Sequence, residues 1–157
     1  MKLNAYLSGG MEYAQNNGAD WRVELESWLK RELRHGSFNP VKASERFLSS
    51  RYPGIDFRAA KSDDFNRHKE IAAEIVRLDS SEIILHSDYI ICYYDESAQR
   101  GAGTKGELTV AALFGKPVYL IKGMPIADMP SWVIGCTTEM FDDFEELRKF
   151  LRDKFLH

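Results

Sequence analysis

The stretch YIICYYDESAQRGAGTKGELTVAALFGKPVYLI, Tyr89 to Ile121, reads as a strand, a glycine-broken loop, a short helix and a second strand. Tyr89-Ile90-Ile91-Cys92-Tyr93-Tyr94 is a near-continuous apolar run of strand length, which predicts a central strand covered on both faces. A helix separates it from the β-branched strand that ends at Ile121, the order of a parallel βα unit. Glu107 falls in the first turn of that helix. A carboxylate presented from a glycine-rich turn just past a hydrophobic strand lies where open α/β sheets hold their ligands.

Outward from this unit, Leu3 to Gly10 reads as a strand running into a glycine pair, where the missing Cβ permits a sharp turn or a close ligand approach. Asp20 is the expected N-cap of a helix carrying Trp21, Leu25, Trp28, Leu29 and Leu33, ended by His35-Gly36. Ser37-Phe38-Asn39-Pro40 predicts a brief strand, because Pro40 cannot donate into a ladder. From Val41 to Asp64 no regular period is visible, so an irregular excursion is expected, either a lid or a packed surface loop. A helix then runs from Asp63-Asp64 to about Leu78. Asp79-Ser80-Ser81-Glu82 reads as a fresh cap for a second short turn that Ser87-Asp88 stops. Past Ile121, Gly123 to Pro130 is turn-rich, Trp132-Val133-Ile134 predicts a last short strand, and Asp142 is the expected cap of a terminal amphipathic helix. The whole chain, 1–157, reads as one α/β domain, doubly wound around a mostly parallel sheet of about five strands.

The bulk composition narrows the function. With 44% hydrophobic residues in 157, the chain can build one core. Its 24 acidic and 21 basic residues are mixed along the sequence, leaving no basic face for a nucleic acid polymer. Cys92 and Cys136 have neither the density of a disulfide framework nor zinc spacing, and they read as reduced and structural, which suits the cytoplasm. No segment reaches the ~18 apolar residues of a membrane span, and the N-terminus lacks the apolar run of a signal peptide, so no membrane partner is expected. The four histidines share no ligand spacing, and no metal site is inferred.

Two local motifs compete over Glu107. Gly101-Ala-Gly103-Thr-Lys-Gly106 satisfies the dinucleotide pattern in form, but six residues separate it from the strand and no acidic residue follows at the right distance. Thr104-Lys105-Gly106-Glu107 fits a capping box, with Thr104 as cap and Glu107 reaching back to it. Against the box, glycine at 103 and 106 is more flexibility than a cap needs. A carboxylate near a helix N-terminus is favoured as the anion, which suits a nucleophile. Asp79, Glu82, Asp88, Asp95 and Glu96 lie near the central strand in sequence, and paired carboxylates are what glycosidic cleavage requires.

Tyr6-Leu7-Ser8-Gly9-Gly10-Met11, Ser87-Asp88 opening a hydrophobic strand, and Gly103-Thr104-x-x-Glu107-Leu108-x-x-Ala111 followed by Gly115-Lys116-Pro117-Val118 together resemble the nucleoside 2-deoxyribosyltransferase family, which includes related deoxynucleotide N-hydrolases. The resemblance spans most of the chain in the right order, and the Gly-Thr-x-x-Glu-Leu element is its most specific part. It implies a flavodoxin-like fold, no metal or organic cofactor, and an enzyme that cleaves the N-glycosidic bond of a small-molecule (deoxy)nucleoside or nucleotide. Catalytic roles fall on Glu107 as nucleophile, Tyr6 as its positioning tyrosine, and Asp79 as the group handling the leaving base. Substrate-binding roles fall on Gly9, Gly10, Met11, Asp95, Gly103, Thr104 and Trp132. Ser131-Trp132 is similar to a late segment that reaches a neighbouring subunit's active site in some members, which implies a homo-oligomer with shared sites.

Two departures from the family stand out. Gly101 occupies the position, six before the nucleophile, where an aspartate often contacts the base, and Asp95 and Glu96 lie further upstream. The loop after the first strand is Gly-Gly-Met-Glu and lacks the serine and arginine of the phosphate-binding members, leaving Arg22, Arg51, Arg58 or Arg100 to take a 5′-phosphate. Two other readings fit the same residues. One is an NAD glycohydrolase similar to TIR-like domains, and the other is a non-catalytic nucleotide-binding or signalling module in which Glu107 only caps its helix.

Overall fold

Strand alternation organises the protein. Along β3 (Tyr89–Tyr94) the odd-numbered Tyr89 and Ile91 enter one hydrophobic cluster, and the even-numbered Ile90, Cys92 and Tyr94 enter another on the opposite face. β1 (Asn4–Gly9) follows the same rule, with Ala5 and Leu7 on the first face and Tyr6 on the second. The computed structural model describes residues 2–157. Its sheet is wholly parallel, with β2 (Gly36–Phe38), β4 (Val118–Lys122) and β5 (Glu139–Phe141) completing the order β2-β1-β3-β4-β5. This is the flavodoxin-like order.

Helices cover both faces. On the first lie α1 (Ala19–Trp28) with its continuing π turn, Leu29–Leu33, and the terminal α8 (Phe144–Leu156), which together bury Leu25, Trp28, Leu29, Leu33, Leu147 and Leu151. On the second lie α4 (Phe65–His86), α6 (Gly103–Leu113) and α7 (Ser131–Cys136), contributing Ile83, Leu108, Ala111 and Val133. The connection leaving β1 therefore crosses one face while that leaving β3 crosses the other. Their diverging C-terminal ends open a crevice, the usual ligand position in such sheets.

Several local expectations are corrected. The excursion from 41 to 64 is mostly helical, with α2 (Pro40–Arg51) and α3 (Phe57–Asp63). Pro40 occupies the first turn of α2, where its missing N–H costs nothing, and the Asn39 side chain caps Val41 and Lys42. Neither helix shows a clear apolar period because each buries little: Pro40 and Val41 in α2, Ala60 in α3. The Asp79-Ser80-Ser81-Glu82 segment caps nothing, since α4 is a single 22-residue helix capped by Asp64. Asp79 sits in its interior. Trp132-Val133-Ile134 is helical, within α7, and the last strand comes later, at Glu139–Phe141. Gly18, not Asp20, precedes α1, and Asp143, not Asp142, caps α8 through the Glu146 N–H. The loop from Asp95 to Gly101 contains a one-turn helix, α5 (Glu96–Arg100), with Asp95 as its cap. Among the described residues, no helix is long and apolar enough to cross a membrane.

Candidate active site

The alternation that splits the core also assembles the site. Tyr6 and Ser8 are two positions apart on β1 and share a face, so both hydroxyls meet the helix that packs there. That helix is α6, and the side chain they meet is Glu107: Tyr6 donates to its Oε2, and the Ser8 hydroxyl donates to Oε1 at 3.1 Å. The carboxylate therefore turns towards the sheet and away from Thr104. The capping box does not form, since Ala102 precedes α6 without a side-chain cap and Thr104 is buried.

Above the half-buried Glu107 lies a cleft of about 420 Å³ between the β1 loop, α4 and the start of α6. Gly9, Gly10, Met11, Asp79, Gly103, Thr104 and Glu107 all line it, so seven of the ten candidate positions converge. Tyr6 lies beneath its floor through the bond to Glu107. Asp95 does not face this cleft. It accepts from the Ala98 N–H and the Ser97 hydroxyl, and it lines a smaller pocket of about 200 Å³ with Gly10, Trp21 and Tyr93. Trp132 also lies away from the cleft, 67% exposed, with its indole N–H donating to Thr109 at 2.8 Å.

Of the three carboxyls that line the cleft, Glu12 is paired with Lys61, and Asp79 and Glu107 have different surroundings. Burial pushes Glu107 up to about 7, against the pull of the Tyr6 hydrogen bond, the Arg22 charge and the Ser8 hydrogen bond towards the anion. Burial likewise pushes Asp79 to about 7, and the nearby Glu107 charge adds to that rise. The pair is coupled, so its two protons leave in steps belonging to both groups. The hydroxyl donors distinguish the two. Glu107 has two hydrogen bonds that stabilise its anion, whereas no side chain donates to Asp79 among the described residues. These bonds favour the Glu107 anion, and a charge on Glu107 in turn favours the neutral form of Asp79. Burial and the Glu107 charge also raise Tyr6 well above the usual phenol range, so the phenol remains a donor at neutral pH.

The glycines in the site serve packing in one case and leave room in the other. A Cβ on Gly10 would stand 2.0 Å from Ser97 Oγ and 2.8 Å from Ala98 N, so this loop lies against α5 with no space to spare. Gly103 and Gly106 face open space. Packing against the rest of the chain therefore does not require glycine at either position.

Ser8 is absent from the candidate residues of the sequence, and Arg22 figures there only as one of four arginines for a 5′-phosphate. Ser8 follows Tyr6 by the strand period, and that spacing could have found it. Arg22 is fully buried on four backbone carbonyls, so it is not free to hold a phosphate. Arg51 pairs with Glu74. Arg100 lies over the Tyr13 ring, and Arg58 donates to Met11 O and Asn17 Oδ1 beside the cleft mouth. Among the described residues, no cluster of His, Cys, Asp and Glu is arranged to hold a metal ion. Comparisons with protein-family models and with curated proteins each return no match.

Proposed function

We propose that the protein cleaves the N-glycosidic bond of a (deoxy)nucleoside or nucleotide through Glu107, passing the sugar to another base or to water. The observation that carries this reading is the placing of two buried carboxyls in one cleft with different partners: Glu107 accepts from two hydroxyls that favour its anion, and Asp79 is raised by burial and by the Glu107 charge. In the first step Glu107 attacks C1′ and an ester bond forms. The C1′–N bond breaks with its electron pair going to the base, and the Asp79 proton neutralises the departing nitrogen. In the second step water or an incoming base, deprotonated by Asp79, attacks C1′ and frees Glu107. Tyr6 and Ser8 position the nucleophile throughout.

The nucleoside 2-deoxyribosyltransferase resemblance supports the same assignment, because its nucleophile falls on Glu107 and its positioning tyrosine on Tyr6. It also supports a homo-oligomer. The 67% exposure of Trp132, beside the exposed Leu113 and Phe114 on the neighbouring helix end, fits a surface covered by a second copy. A stable monomer in light scattering removes that part of the proposal.

The experiment that tests the function is incubation with a panel of nucleosides, nucleotides and NAD, with and without a second free base, followed by chromatography. Free base is expected from the wild-type protein and none from Glu107→Gln. Base release retained by Glu107→Gln overturns the mechanism. Nicotinamide release alone transfers it to NAD cleavage, and a shift in melting temperature without any product leaves a binding module.

A further inference from the structure

Arg22 is the one arginine or lysine buried among the described residues, at 0% exposure. It springs from α1, on the opposite side of the sheet from Glu107. Its Nε donates to Leu7 O at 3.0 Å, one terminal nitrogen to Gly18 O at 2.8 Å and Gly10 O at 3.3 Å, and the other to Gly9 O at 2.9 Å. The guanidinium also packs 4.7 Å from the centroid of the Trp21 ring. A planar fork of fixed donors suits this task, which a lysine ammonium cannot copy.

All those acceptors are backbone carbonyls, and among the described residues no carboxylate lies within the 4.0 Å of an ion pair. The hydrogen bonds are satisfied, but the charge has no direct counterion, an arrangement costly to bury. Burial lowers the guanidinium's own pKa most, and the groups that offset this are led by Glu107, followed by Tyr6, Cys92 and Asp95; the Arg22 charge in turn lowers Glu107. The strand geometry makes the link concrete. Leu7 and Gly9, whose carbonyls Arg22 holds, alternate along β1 with Tyr6 and Ser8, whose hydroxyls hold Glu107.

We infer that Arg22 is a positioning residue of the cleft, pinning the Gly9-Gly10 wall and supplying a fixed buried charge that favours the ionised form of Glu107. The nucleophilic role rests on the glycosidic reading above, whereas the pinning and the charge effect do not. Other charged or titratable groups around Glu107 do not replace it. Asp79 of α4, Cys92 of β3 and Asp95 at the α5 cap are acids, and Tyr6 of β1 is a neutral donor. At the mouth, Glu12 is paired with Lys61 of α3, and Tyr13 lies under Arg100. Lys105, on the same helix as Glu107, spends its ammonium on Gln99 O and Gly101 O.

The test follows the Glu107 carboxyl directly, by carbon NMR of side-chain-labelled glutamate assigned with Glu107→Gln, in the wild type, Arg22→Met and Arg22→Lys. Arg22→Met is expected to raise the Glu107 midpoint by about one pH unit or more. Arg22→Lys keeps the charge and loses the fork, so the midpoint should stay near the wild-type value while amide exchange across residues 9–18 quickens. An unchanged midpoint in Arg22→Met overturns the inference. If Arg22→Met does not fold, Arg22→Lys decides, because a midpoint that rises despite the retained charge, or loop exchange that stays slow, also overturns it. The base-release panel reports separately. A shifted midpoint with no base release from any compound leaves Arg22 as the cleft's charge and removes the glycosidic reading alone.

Discussion

The Tyr6 hydroxyl donates to the Glu107 carboxylate across 101 residues of sequence, joining the first strand to a helix two crossovers later. Neither residue has a local reason to meet the other. Tyr6 is fully buried, its ring stacked on Phe38 at 5.2 Å between centroids, so its hydroxyl approaches Glu107 from a fixed direction. A donor held this rigidly favours the carboxylate anion from one direction.

Replacing Tyr6 by Phe keeps the ring and removes the donor. On the proposed glycosidic reading, losing this positioning contact should lower kcat roughly 10- to 100-fold. The acidic limb of the pH–rate profile should move upward, because Glu107 loses a bond that favours its anion. Steady-state kinetics across pH on a substrate that the panel identifies measures both effects.

Stability should depend on Asp79 with a definite sign. Its folded pKa, about 7, exceeds the ordinary carboxylate value near 4. Between about pH 4 and pH 7 the folded protein therefore binds more protons than the unfolded chain, and stability falls as pH rises through that window. Glu107 contributes in the same direction, since its folded value is also raised to about 7. His35, lowered by burial, contributes in the opposite direction near its own titration, so the informative comparison is with Asp79→Asn. Melting temperatures from pH 4 to 8 should decline less steeply in that variant and exceed the wild-type value at pH 8.

The two classes of glycine should separate cleanly. Gly10→Ala forces a Cβ against Ser97 and Ala98, so α5 must move and about 1–3 kcal/mol of stability should be lost. Gly106→Ala fills open space on a helix and should gain about 0.5–1 kcal/mol. At this chain length each kcal/mol shifts the midpoint by roughly 2–4 °C, which thermal unfolding resolves.

The α3 contacts should govern the β1 loop more than global stability. Arg58 holds Met11 O and Asn17, and Lys61 pairs with Glu12, all from an exposed helix. Exposed ion pairs contribute at most about 1 kcal/mol, so the double change Arg58→Ala with Lys61→Ala should hardly alter the melting temperature. Amide exchange at residues 11–17 should accelerate, and KM should rise more than kcat falls.

The sequence by itself determined the layers of this protein. The unbroken run Tyr89–Tyr94 required cover on both faces, and strand–helix alternation required a parallel sheet, because those signals are local and repeat with the period of the backbone. It also singled out Glu107 by type and position, whereas Asp79 and Tyr6 were assigned through the family resemblance. What it missed was likewise physical: α2 and α3 bury too few residues to leave a period, and Asp79-Ser80-Ser81-Glu82 reads as a cap although tertiary packing carries the helix through it. Only the tertiary structure decided what Glu107 does with its side chain. Thr104, three residues away, offered a local partner, yet Glu107 bonds to Tyr6 and Ser8 because packing α6 on β1 puts two buried hydroxyls within reach. The same packing placed Asp79 in the Glu107 cleft and left Asp95 and Trp132 outside it. Such choices depend on which strand faces which helix, and no local spacing records that.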